Sequence, residues 1–379
     1  MRNRPDVRIT DVRLIRLRTE REVGVVEPAW DPGGTWPLRI GGGSYVQVHT
    51  DAGLVGIGPG CSAALLPAVR ERLMGQDPFD IERHGAVLGY YAAGLPYEGT
   101  AGIDIALWDV VGKLCGQPLY KLWGGGRDRV VPYASLMRLS TPEERAQQAA
   151  GLQRAGWRAL KVRLHHETMR EDVRTVEAVR EAVGDDVAIM VDANQAQSAG
   201  GWQPGVRWDF RRAVETARAL QALGCAWLEE PLPRYAFDQL AELRRRVELP
   251  IAGGENNTGL HEFRQMLQNE VYDILQPECL VLEGISTVRK IGVLAGAFGK
   301  QVVPHHGAWD LGLIAHLHFV ASCPHAPYLE ILHDPPVGDY RHGFAVFQEP
   351  PALDSDGCLA VPQAPGLGVE LRRDLVEAP

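Results

Sequence analysis

Lysine is scarce in this chain, with 5 lysines against 34 arginines among 379 residues. Each lysine position is therefore more informative than usual. Cysteine is sparse and scattered, at 61, 115, 225, 279, 323 and 358, with no Cys-x-x-Cys pair. Neither a zinc site nor a disulfide framework is indicated, and reduced thiols in the cytoplasm are expected. No basic block is present and the formal net charge is −9, so nucleic acid is not an expected partner. No apolar run is long enough to span a membrane, and the opening Met-Arg-Asn-Arg-Pro-Asp lacks the apolar core of a signal segment.

The length suggests two domains. Residues 7–18 and 44–58 alternate as strands do, with Thr50-Asp51-Ala52-Gly53 as a hairpin turn. The stretch between them, 20–43, is rich in Gly, Pro and Trp and reads as a long loop able to act as a lid. Residues 98–122 read as a helix with Ile103, Ala106, Leu107 and Val110 on one face. This opening block is α+β.

From Arg129 the rhythm changes. Apolar runs at 130–136, 158–163, 187–192, 226–229, 249–252, 272–276, 301–305 and 327–331 read as strands. Amphipathic stretches such as 141–155, 170–183 and 208–223 lie between them. Eight strands alternating with helices predict a (β/α) barrel whose site lies at the strand C-terminal ends. Ser198–Trp208 reads as an insertion over that mouth, and 343–370 as strand-and-turn sequence returning to the first domain.

Asp192, Glu229 and Glu255 each follow one of these strand-like runs. A parallel barrel brings such ends together, and three converging carboxylates need a cation. An all-oxygen set suits a hard ion such as Mg²⁺. Glu230 points the other way along its strand and is expected to support rather than bind the ion.

Lys161 and Arg163 share one face of the second barrel strand by alternation. A guanidinium stays protonated and makes a poor base, whereas its charge should depress the Lys161 pKa. Lys161 is then the better base on that side, unless the two cations only neutralise the carboxylates. His165 continues the alternation and is a possible substitute. His305 ends the seventh strand, where a histidine can shuttle protons at neutral pH. Glu278 is placed to hydrogen-bond it, while His306 should face away and pack. Glu330 ends the last strand; a raised pKa at a crowded acidic site would let it donate a hydrogen bond to a developing oxyanion.

Taken together, the motifs resemble the enolase superfamily, specifically its mandelate racemase branch, over nearly the whole chain. Ala101–Lys113 is similar to that family's capping-domain helix. Val191-Asp192-Ala193-Asn194, Glu229-Glu230-Pro231 and Gly254-Glu255-Asn256 are similar to its three metal-ligand motifs, in order. Val361–Val369 is similar to its C-terminal return. The resemblance implies a modified TIM barrel, (β/α)₇β, at 129–335, an α+β capping domain at 1–128 with a specificity loop at 20–43, and a returning segment at 336–379. It implies one Mg²⁺ on Asp192, Glu229 and Glu255, with His305 as base and Lys161 and Arg163 on the opposite face. Glu330 matches the acid that meets the substrate carboxylate, and Asn194 and Ser135 match substrate-touching positions. It also implies a homo-oligomer. Two residues depart from the pattern: Arg163 replaces a lysine, and Glu278 replaces an aspartate.

The expected activity is dehydration of a sugar acid, by removal of the proton next to the carboxylate and loss of the 3-hydroxyl to give a 2-keto-3-deoxy acid. Alternatives are a racemase, epimerase or cycloisomerase using the same enediolate chemistry, and a non-catalytic metal-binding scaffold.

Overall fold

Five strands open the chain: β1 (Ile9–Arg16), β2 (Thr19–Val26), β3 (Trp36–Gly41), β4 (Ser44–Thr50) and β5 (Val55–Pro59). A computed structural model describes residues 6–92 and 99–377. The chain start read for a signal and the first residue of the helix expected at 98–122 lie partly outside them. β1, β4 and β5 form an antiparallel sheet, joined at the expected Thr50–Gly53 turn. Helix Ala101–Cys115 covers it, burying Ile103, Ala106, Leu107 and Val110 against Ile9, Val12, Val46 and Val48. The helix lies very close to β5: a Cβ on Gly58 would stand 2.0 Å from the Gly102 carbonyl oxygen. Only glycine permits that approach. The expected helix is not continuous to 122. Gly116 caps it in the left-handed region, φ 64°, and a separate turn of helix follows at Leu119–Leu122.

Residues 20–43 are not a loop throughout. β2 and β3 pair as an antiparallel ribbon, leaving 27–35 as its connector. The register shifts between Thr19 and Arg21 and again between Glu22 and Gly24. Those irregularities break the period-two pattern that would have marked a strand.

Eight parallel strands follow: β6 (Arg129–Ser135), β7 (Ala159–Arg163), β8 (Ala188–Asp192), β9 (Trp227–Glu229), β10 (Ile251–Gly253), β11 (Ile274–Leu275), β12 (Gln301–Val302) and β13 (Tyr328–Leu332). They neighbour one another in chain order, and β13 returns to pair with β6. The two sheet ends approach where Val302 N donates to the His325 carbonyl at 3.1 Å. Helices fill the intervals, two of them started by capping boxes, Thr141 with Glu144 and Thr168 with Glu171. The architecture is the expected modified TIM barrel with an α+β cap.

Alternation sets the barrel interior in layers. Tyr133, Ala159, Met190, Trp227, Ala252, Ile274 and Val303 form one apolar cluster. Two residues further along the same strands come Ser135, Lys161, Asp192, Glu229, Gln276 and His305. Period two thus puts a charged layer directly above a dry one.

The tail packs back onto earlier elements. Its short strand β14 (Leu359–Ala360) pairs with barrel strand β6 rather than with the cap sheet. Later residues do reach the cap, through Leu367 N on Asp109 at 2.8 Å and a bridge between Leu17 and Val376. Among the described residues no helix is long and apolar enough to cross a membrane.

Candidate active site

Asp192 and Glu229 are cross-strand partners on β8 and β9, so their side chains emerge side by side. Glu255 lies just past β10, after Gly254 at φ 118°. One oxygen from each of the three carboxylates falls within 4.8 Å of the others. Burial and then the neighbouring Asp192 push Glu229 up to about 8. Glu255 is raised as well, by burial first. Burial also acts upward on Asp192, but the Arg163 and Lys161 charges outweigh it and hold that group below the usual carboxylate range. Glu255 Oε2 is buried and accepts no hydrogen bond. Hard oxygens, like-charge repulsion and an unsatisfied lone pair together fit a divalent cation such as Mg²⁺.

Two non-glycine residues beside this cluster adopt positive φ, Asn194 at 43° and Glu230 at 45°. Such backbone persists where surrounding contacts over-determine it. Asn194 is held by its amide N–H on Asp192 Oδ1 at 2.8 Å. Glu230 is buried and pushed well above the carboxylate range by desolvation and then by Glu255. Asn256 Nδ2 stands 3.5 Å from Glu230 and 3.1 Å from Glu255, which gives Glu230 the supporting place expected of it.

Lys161 Nζ lies 2.6 Å from Glu229, 2.8 Å from Glu330 and 3.4 Å from Asp192. Its pKa is raised, not depressed as expected. Burial acts downward, yet Glu229 and Glu330 together overcome both burial and the Arg163 charge. Arg163 donates to Asp192, to Asn194 at 3.1 Å, to Ser135 Oγ at 3.0 Å and to the Leu136 carbonyl at 3.0 Å. Glu330 also departs from expectation. Lys161, His305 and Arg163 overcome its burial and lower it to about 2, so it is an anion and not a hydrogen-bond donor.

His305 Nδ1 is 3.1 Å from Glu278 Oε2, so the longer glutamate does reach the histidine. Its Nε2 is 3.4 Å from Glu255. Burial lowers the His305 pKa, but Glu255, Glu330 and Glu278 raise it to about 9 overall. His306 is wholly buried and packs edge-on to His316 with centroids 5.2 Å apart, but it does not simply face away as expected, because its Nδ1 meets Glu278 at 3.2 Å. His165 is buried on Asn194 Oδ1 at 3.0 Å.

A cavity of about 430 Å³ opens over these groups, lined by Trp30 and Trp36 together with Arg163, Asn194, Glu255 and His305. Lys161, Glu330 and Ser135 have no exposed surface. Ser135 holds Arg163. The 198–208 insertion does cover the mouth: Gln203 donates to the Asn194 carbonyl at 3.1 Å, and a Cβ on Gly205 would meet Pro32 at 3.4 Å.

Sequence reasoning missed several contributors. Gln276 and Trp227 both donate to Glu229 Oε2, at 2.7 and 3.1 Å. Continued alternation along their strands could have flagged both. Trp30, whose ring lies 4.7 Å from the Arg163 guanidinium, carries no such signal, because its position depends on how the ribbon folds over.

Comparison with known proteins agrees with this geometry. Residues 144–375 match the family model "Enolase C-terminal domain-like", and 35–124 match "Mandelate racemase / muconate lactonizing enzyme, N-terminal domain". The chain is 32% identical over 347 residues to arabinonate dehydratase of Saccharolobus solfataricus, covering 87% of this chain and 88% of that protein. It is 33% identical over 356 residues to D-galactarolactone cycloisomerase of Agrobacterium fabrum, covering 87% and 89%. A crystal structure of an enolase superfamily member from Polaromonas superposes with TM-score 0.79 at 27% identity, covering 97% of this chain and 96% of that one. The chain belongs to the mandelate racemase and muconate lactonizing enzyme family of the enolase superfamily.

Proposed function

We propose that this protein is a Mg²⁺-dependent dehydratase of a sugar acid, working by removal of the proton next to the substrate carboxylate. The observation that carries it is an asymmetry. His305 lines the cavity with its Nδ1 on Glu278, whereas Lys161 is wholly buried and Arg163 is a guanidinium that stays protonated and makes four hydrogen bonds. One competent base suits elimination, while racemisation needs one on each face of the substrate.

Glu255, whose charge the ion would take up, is the largest influence raising His305; His305 Nε2, then neutral, takes the α-proton, with Glu278 fixing the tautomer through Nδ1–H. Asp192, Glu229 and Glu255 would hold the ion, which supplies positive charge to the enediolate that forms. Lys161 sits among the same carboxylates and adds a fixed cation. Glu330, as an anion on Lys161, sets where that charge lies. His305 then returns the proton to the departing 3-hydroxyl, water leaves, and the enol tautomerises to a 2-keto-3-deoxy acid. Residues 1–128 serve as the cap, with 20–43 closing over the substrate, 129–335 as the catalytic barrel and 336–379 as the return. The partner is a small carboxylate in the cytoplasm, and the chain works as a homo-oligomer.

Cycloisomerisation needs only one base as well, and a cycloisomerase relative at 33% identity supports it as the second reading. The intact His305–Glu278 pair argues against a non-catalytic scaffold.

The test is a screen of mono- and diacid sugars with Mg²⁺, scoring 2-keto acid formation and α-proton exchange in D₂O. His305→Asn is expected to abolish both while leaving Mg²⁺ binding intact. Full turnover in that variant would remove the mechanism.

A further inference from the structure

Glu278 bears a second imidazole. Its Oε2 meets His305, and its Oε1 lies 3.2 Å from His306 Nδ1 and accepts from Leu280 N–H at 3.0 Å. The other nitrogen of His306, Nε2, lies 3.0 Å from Asp310 Oδ1. That same Asp310 oxygen accepts from Gly312 N–H at 2.7 Å, at the start of helix Leu311–Ser322. Both ring nitrogens of His306 therefore face carboxylate oxygens. Ionised carboxylates only accept, so both nitrogens donate and the ring is a cation.

His306 also has no room to turn. A Cβ on residue 312 would come 2.7 Å from its Cε1, and the His316 ring closes another side.

We propose that His306 and Asp310 are positioning residues for the base: Asp310 fixes His306, His306 fixes Glu278, and Glu278 aims His305. The chain's own sequence explains the need. A glutamate has one more rotatable bond than an aspartate, so an Oε2 aimed at His305 requires Oε1 to be tied down. His306 and the Leu280 amide do that. The helix-capping Asp310 anchors the row in rigid backbone. This inference rests on the proposed role of His305 as base.

The experiment reads His305 without any substrate. Protein saturated with Mg²⁺ is treated with diethyl pyrocarbonate, and acylation of His305 is followed by peptide mass spectrometry. Rates are compared at their alkaline plateau, where His305 is neutral in every variant; there His306→Gln and Glu278→Gln are each expected to slow it by about tenfold, the order that orienting partners contribute to metal-bound imidazoles. The double variant should be no slower than Glu278→Gln alone. His306→Asn keeps a donor where Nδ1 stands and should recover most of the rate. In turnover the slow variants lose kcat and keep KM. If His306→Gln does not fold, Asp310→Asn, which retains an oxygen for the helix cap, carries the test and should also be slow.

Wild-type acylation in folded His306→Gln, or additive losses in the double variant, would overturn the proposal. So would a zinc ion retained on Glu278, Cys279, His306 and His316, which lie close enough to share one. A wild-type protein that forms no 2-keto acid would instead overturn the dehydratase reading and leave the acylation result standing.

Discussion

Arg163 and Asp192 are partners twice over, paired in register across β7 and β8 and joined guanidinium to carboxylate. Arg163 also reaches Ser135, Asn194 and the Leu136 carbonyl. A planar fork can make all of these at once, whereas an ammonium is a point charge with a different reach. Arg163→Lys keeps the charge and is expected to lose the Ser135 and Leu136 contacts. The cost is about 2 kcal/mol of stability, the scale of charge-assisted hydrogen bonds. Urea denaturation measures it, and Mg²⁺ affinity should weaken in parallel because Asp192 is no longer oriented. An unchanged midpoint would mean that the Ser135 and Leu136 contacts of Arg163 contribute nothing.

The three carboxylates make a second prediction, with opposite signs in the presence and absence of metal. Mg²⁺ at 100 times its Kd should stabilise the native state by about 2.7 kcal/mol through linkage. Glu255→Gln should erase most of that gain. Without metal, the same variant should be at least as stable as wild type near neutral pH. It removes one of three buried like charges, and the Glu255 pKa is already raised. A variant that is weaker without metal and still gains fully from Mg²⁺ would rule out these residues as its ligands.

Most of the frame was legible because its signals are local and periodic. The barrel strands end where alternation places Lys161, Asp192, Glu229 and His305, and a parallel barrel gathers such ends on one face. The ionisation of the gathered groups was not legible. Lys161 was expected low, judged against Arg163 alone, and Glu330 high, judged against the crowded carboxylates without the cations among them. The folded site sets Lys161 against Glu229, Glu330 and Asp192 together, and the sum of charges reverses both directions. The β2–β3 ribbon was hidden for a different reason. Its register shifts spoil the period, and its glycines and prolines mimic a loop.

The connector of that ribbon gives a third prediction. Trp30 packs edge-on against Trp36, with centroids 5.9 Å apart, and lies over the Arg163 guanidinium. An aromatic face against a partly desolvated cation is worth about 1–2 kcal/mol. Trp30→Ala should open the cavity and let water reach Arg163. The expected result is a loss of roughly tenfold in kcat/KM, the rate equivalent of about 1.4 kcal/mol. Steady-state kinetics on the substrate found in the screen would measure it. Unchanged kinetics would place the connector outside substrate recognition.

The last prediction concerns stability in acid and lies away from the metal. His318 is wholly buried beneath the cap. Its Nδ1 accepts from Tyr120 N–H at 3.3 Å, and its Nε2 faces the Leu367 carbonyl at 3.0 Å. One acceptor and one donor define a neutral ring. Burial lowers its pKa to about 4 despite the Leu367 contact. In the unfolded chain a histidine titrates near 6.5. Between those values the unfolded state binds the extra proton, so stability falls as pH falls. The His318 contribution is complete above about pH 6.5 and drains at about 1.4 kcal/mol per unit down to about pH 4. His318→Gln cannot titrate. It leaves the Tyr120 amide unpaired and should be less stable at pH 7 by about 1–3 kcal/mol. Its stability should nevertheless decline less steeply with acid than wild type, so the two curves converge toward pH 4. Denaturation series from pH 7 to 4, both proteins saturated with Mg²⁺, compare the slopes directly. Parallel curves would show that His318 takes up its proton as readily in the folded state as in the unfolded one, contrary to its hydrogen-bond geometry.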